Sequence, residues 1–255
     1  MSNGKRHIME SLNINMRYDG RKLEEYRPVS VEYNVVNSAE GSARVKIGGT
    51  EVIAGIKMSM EKPFSDTPDE GTLMVGVELL PMSNPEFELG PPGIQAVELA
   101  RVVDRGIREA KAIDVKKMVV VAGEKVWGVS VDIVSINDEG NLFDACALAA
   151  IAALKVTRFP SYDGKKVDYD NYTDQKLHVV KTPVSATVVK IGDKLLVDPT
   201  TEEELMIDAR LTVATDEKGE ICAMQKGGAT PLTLAEVDRM MQLAVAKCNE
   251  LRKHL

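Results

Sequence analysis

Aromatic side chains make up only 4% of this chain, so platforms for stacking nucleobases are scarce and recognition by rings is excluded as a main device. Cysteine and histidine are scarce as well. Cys146, Cys222 and Cys248 are odd in number and widely separated, which suits reduced thiols better than a disulfide framework or a zinc site. His7, His178 and His254 have neither metal-ligand nor triad spacing, so the sequence offers no metal centre, no cofactor site and no histidine-based constellation. Long hydrophobic runs are missing too. The longest, 145–154, is about half of what a bilayer crossing needs, and no basic segment leads into an apolar run at the start. A cytoplasmic protein without membrane contact is expected.

What is present describes a globular protein with an aliphatic interior: 44% of the 255 residues are apolar and 28% charged, enough for one large domain. The net charge is −7. Against that acidity Arg101, Arg105 and Arg108 fall three and four residues apart in a helical pattern and line one face of it. An acidic body repels polyanions except where positive charge is concentrated, which makes this stripe a candidate phosphate contact. The same spacing fits a solvated face, because Glu98, Asp104 and Glu109 stand at pairing offsets from the arginines, each pair worth about 0.2–0.5 kcal/mol. Spacing alone leaves both readings open.

Residues 1–28 are polar, end in Pro28 and read as an N-terminal arm or short helix. Strands are predicted at 31–36, 43–47 and 50–58, the last two joined by the hairpin signal Gly48-Gly49, and again at 72–80 after a Pro- and Asp-rich loop at 64–71. Pro91-Pro92-Gly93 precedes a helix to about Ala112, with Ile94, Val97, Ala100, Val103, Ile107 and Ala110 as its expected core face. Paired strands at 118–122 and 126–136 lead into a helix at 142–156 that is too uniformly apolar to face water. The polar stretch 159–177, with Lys165-Lys166, reads as a surface insertion of no assigned role. Strands follow at 184–191, 195–197, 206–215 and 221–226. A last helix opens on the capping box Thr233 and Glu236 and carries an apolar stripe of Leu234, Val237, Met241, Ala244, Val245, Cys248 and Leu251. Strand groups twice followed by long helices predict one α+β domain over 1–255 with a duplicated β-α arrangement.

Arg17-Tyr18-Asp19-Gly20-Arg21, the hairpin from Gly41 to Thr50, the helix bearing Arg101 to Arg108 and the loop 137–141 before an apolar helix together resemble the RNase PH family. Their order and spacing cover nearly the whole chain. Val197-Asp198-Pro199-Thr200 and the longer middle insertion resemble one branch, the non-catalytic RNase PH-type subunit of the archaeal exosome. The resemblance implies an RNase PH-like duplicated β-α fold of the ribosomal protein S5 domain 2 type. It implies a hexameric ring, and 3′ to 5′ phosphorolysis of RNA in catalytic members. Its implied partners are a catalytic RNase PH-like sister subunit in a trimer of heterodimers, cap subunits with S1 or KH domains, and single-stranded RNA.

In catalytic members the loop before the buried helix reads Gly-Ser-Arg and grips phosphate; the matching residues here are Gly140, Asn141 and Leu142. The family's two metal- or proton-handling aspartates are matched by Glu204 and Arg210, and Asp208 would substitute only after a slip of about 7 Å along the strand. No catalytic residue and no metal site are therefore expected, and the run Glu202-Glu203-Glu204 reads as a charged loop at a strand edge. Arg101 and Arg105 match positions that resemble RNA phosphate contacts, while Arg108 reads as a salt-bridge partner. Two rivals stand beside this: an independent phosphorolytic exoribonuclease using Glu204, Asp198 or Asp208, and a ring member that never touches RNA.

Overall fold

β-Branched residues alternate with small and polar ones through the first strands, and this stretch folds as the meander β1 (Val29–Tyr33), β2 (Gly41–Ile47) and β3 (Thr50–Glu61). Ile47 pairs with Thr50, so Gly48-Gly49 form the two-residue turn, with Gly48 at φ +58°. The computed structural model describes residues 3–255, with side chains from His7 onward. β4 (Thr72–Glu78), β5 (Val119–Val121) and β6 (Lys125–Asn137) complete a sheet of order β1-β2-β3-β6-β4, with β5 on β6. β4 runs parallel to β6, and α2 (Ile94–Glu109) lies in the crossover between them.

The second sheet is antiparallel, of order β10-β9-β11-β12, built from β9 (Val184–Ile191), β10 (Lys194–Val197), β11 (Ala209–Thr215) and β12 (Ile221–Gly227). Helix α3 (Leu142–Val156) packs on β2 and β3 of the first sheet and on β9 of the second. That position explains its apolar surface. One buried cluster draws on both sheets, α2, α3 and α5 (Leu234–Leu251), which covers β9 and β11. At the other end α1 (Asn3–Asn13) sets Ile8 and Leu12 against Val189, Ile191 and Leu196.

Several expectations shift. The stretch 159–177 is an antiparallel ribbon of β7 (Arg158–Tyr162) and β8 (Val167–Lys176); its outer strand is exposed, but Phe159 and Tyr162 set their ring edges against Trp127 and anchor its base. On α2 the buried side runs through Ala96, Leu99, Val102, Val103 and Ile107, leaving Ile94 91% exposed, because the helix wedges between β4, α3 and β12. On α5 Met240 is fully buried and Leu234 is exposed, since the first turn meets the sheet through a Glu236–Lys190 ion pair. The strand expected from 206 begins at Ala209. Residues before it form the short helical turn α4 (Thr201–Glu204), whose pattern continues as Met206 and Ile207 donate to the carbonyls of Glu203 and Glu204.

Candidate nucleic-acid interface

The structure separates the three arginines on the solvent side of α2. Arg108 grips Asp104 at 2.7 and 3.1 Å and also donates to the Leu73 carbonyl. Arg101 and Arg105 are exposed, and no hydrogen bond or ion pair to another described residue engages either. Glu98, at a pairing offset from Arg101, turns instead to an ion pair with Arg210. The two free cations border an open cleft of about 530 Å³ between α2 and β12, with Ile94, Val97 and Gln225 among its walls. Its chemistry is of a kind that could take a flexible anionic chain: guanidinium groups able to fork onto phosphate oxygens, beside apolar surface that reads no base sequence.

The corner matched to the family's phosphate grip, expected here to lack it, has other contacts. Gly140 (φ +92°) and Asn141 (φ +64°) turn the chain into α3 in left-handed conformations; a Cβ on Gly140 would lie 2.4 Å from the Pro199 carbonyl oxygen, so only glycine fits there. Asn141 is buried and its amide donates to Asp144 and to Asp198, both at 3.0 Å. Leu142, where the family has its phosphate-binding cation, is in the core. The N-terminus of α3 still offers positive backbone dipoles to an acceptor, and an acceptor is present. It is the chain's own: the Asn141 N–H donates to Glu204 Oε1 at 2.8 Å.

Burial pushes the Glu204 carboxyl up to about 7, with nearby Asp138 adding to the rise and the Asn141 N–H, Arg210 and Arg27 opposing it. Asp144, fully buried in the first turn of α3, is lifted by burial to about 6 against hydrogen bonds from Tyr26, Thr187 and Asn141. Glu204 and Arg210 are the residues matched to a metal-holding pair. One is a cation and the other spends an oxygen on backbone, so they do not fit a divalent metal and no step is derived through one. Asp208 is committed elsewhere, accepting from the Gly192 N–H in the β9–β10 turn at 2.7 Å.

The acidic run 202–204 is not the loop at a strand edge that its composition suggests. Thr200 and Glu203 form a capping box, and the three glutamates diverge: Glu202 faces solvent, Glu203 is buried on Arg17, and Glu204 reaches α3. Among the described residues no group of three or more His, Cys, Asp or Glu could share a metal ion. Asp198, fully buried at φ +48°, takes Arg27 at 2.7 and 2.9 Å and Arg21 at 2.8 Å. Burial alone would raise its pKa, but the Arg27 hydrogen bonds and charge outweigh this and hold it below the usual carboxylate range. Arg17 adds hydrogen bonds to the Val197 and Asp198 carbonyls. The arm motif and the 197–200 motif thus meet as a buried clasp. Sequence reasoning missed Arg27, which has no motif or spacing to single it out, and the Glu98–Arg210 pair, which joins residues far apart in the chain.

Comparison with known proteins agrees with this architecture. Residues 25–160 match domain 1 of the 3′ exoribonuclease family, and residues 181–247 match its domain 2. The chain is 45% identical over 249 residues to the exosome complex component Rrp42 of Methanocella arvoryzae, covering 98% of this chain and 94% of that protein. It is also 45% identical over 255 residues to the Rrp42 component of Pyrococcus abyssi, covering 97% and 91%. Among solved structures, a chain of the Archaeoglobus fulgidus exosome with RNA bound to the active site superposes with a TM-score of 0.92 at 44% identity, over 98% of this chain and 96% of that one. A rice Rrp46 structure at 17% identity and a TM-score of 0.70, over 93% and 97% of the two chains, shares the fold. The paired β-α halves, the glycine-led entry into α3 and the sequence matches over both domains lead to one conclusion: this chain belongs to the 3′ exoribonuclease family of RNase PH fold.

Proposed function

We propose that this chain is a non-catalytic ring subunit of an archaeal-type RNA exosome, which assembles with a catalytic RNase PH-like sister as a trimer of heterodimers and guides single-stranded RNA to it. One observation carries the non-catalytic part: the carboxyl group of Glu204 takes the Asn141 N–H at the α3 N-terminus, where a phosphate oxygen would otherwise accept it. A phosphate ion there would have to displace the Glu204 carboxyl from that N–H, with Leu142 offering no cation to hold it. Loss of a single such donor slows other enzymes by about two to three orders of magnitude. The independent exoribonuclease loses support with it, since Asp198 and Asp208 are both consumed by structural hydrogen bonds.

The guiding part rests on Arg101 and Arg105, the exposed and unpaired cations of the stripe. Similarity to components of archaeal exosomes supports membership of such an assembly; on the proposed reading the ring forms in the cytoplasm and carries S1- or KH-domain caps on one face. The test is reconstitution with the catalytic sister after changing Arg101→Glu and Arg105→Glu. RNA affinity and degradation are expected to fall, and the salt slope of binding to weaken by about 0.7 for each phosphate no longer neutralised. Unaltered affinity and degradation would discard the guiding role in favour of a purely structural ring member.

A further inference from the structure

Arg210 stands where a catalytic relative has a carboxylate, yet its contacts lead toward the arginine stripe. It pairs with Gly227 across β11 and β12, and a Cβ on Gly227 would lie 2.5 Å from Arg210 Cζ. The missing side chain leaves room for the guanidinium. Its Cζ lies 4.3 Å from the centre of the Phe143 ring at the start of α3, and its Nη2 ion-pairs with Glu98 of α2. Glu98 lines the same cleft as Arg101 and Arg105 and precedes Arg101 by three residues.

A carboxylate three residues from an arginine on a helix is a ready local partner for it, and beside a phosphate path it also repels the ligand. Both effects are suppressed while Glu98 faces Arg210. We infer that Arg210 is a positioning residue for the RNA path: by holding Glu98 it keeps Arg101 and Arg105 unpaired and open to phosphate. This rests on the RNA-guiding reading above.

The test measures the affinity of the reconstituted ring for a single-stranded oligoadenylate. Arg210→Met keeps an apolar stem against Phe143 but releases Glu98. It is expected to weaken binding by about fivefold to tenfold, the effect of removing roughly one charge-assisted hydrogen bond to phosphate. Adding Glu98→Gln to that variant is expected to restore affinity to within about twofold of the parent, because neutralising the released carboxylate frees the stripe again. A plain structural clamp would show no such rescue. A double variant that binds no better than Arg210→Met, or an Arg210→Met ring that binds as well as the parent, overturns the inference. If Arg210→Met lowers the melting temperature of the subunit, Arg210→Lys serves instead. It keeps the charge opposite Glu98 and is expected to bind within about twofold of the parent, while weakening as large as that expected of Arg210→Met contradicts the inference. The Arg101→Glu, Arg105→Glu ring, measured alongside, separates the two claims. If it binds RNA normally, the guiding reading and this inference fall together; if it binds poorly while Arg210→Met does not, only the inference falls.

Discussion

Glu204 is the residue on which the chemistry of this subunit turns. Its carboxyl is raised by burial from an ordinary 4.5 to about 7 and rests on the α3 N-terminus. A carboxyl with a raised folded pKa contributes stability that is fully present below its unfolded value and lost as pH rises through its folded value. The window here is about pH 4.5 to 7 for Glu204, and Asp144, lifted to about 6, acts in the same direction within it. Stability is therefore expected to fall between pH 5 and pH 8 by an amount to which Glu204 contributes on the order of 2–3 kcal/mol. Glu204→Gln removes that share and flattens the curve. Urea unfolding of parent and variant at several pH values checks it; two parallel curves would mean that Glu204 does not titrate in this window.

At the scale of elements, the N-terminal arm and α4 are joined by Arg17, Arg21, Arg27, Asp198 and Glu203, most of them buried. Removing one partner of such a network leaves charges stranded out of water, which typically costs about 3–5 kcal/mol. Asp198→Ala is expected to lower the unfolding free energy measured in urea by that order, and a loss under about 1 kcal/mol would show that the arm is held by α1 packing instead. The outlines of the elements were legible in the sequence. Gly48-Gly49, Pro91-Pro92-Gly93 and the Thr233–Glu236 box are local signals, and each stands where the structure turns or caps. The face of α2 was less so, because Ile94 and Val97 match the helical period while β4, α3 and β12 select Leu99 and Val102 for burial. Period fixes that a stripe exists; neighbours distant in sequence fix its direction.

For the whole molecule, the same division holds between motif and role. The stretches 17–21 and 197–200 carry family resemblance, and their side chains fasten the arm to the second sheet. Arg108 went to Asp104, as spacing allows, whereas Glu98 crossed to Arg210, a pairing set by tertiary packing that no local offset encodes. The result is a family fold whose α3 N-terminus is taken up by Glu204, with Arg101 and Arg105 exposed and unpaired on an acidic body of net charge −7. Its charge pattern suits handing RNA to a neighbour. The most direct measurement is the release of nucleoside diphosphates from single-stranded RNA in orthophosphate and Mg²⁺, by this chain alone and by its complex with the catalytic sister. The expected result is no turnover by the chain alone and phosphorolysis by the complex; turnover by the isolated chain at a rate comparable with the complex would contradict the account.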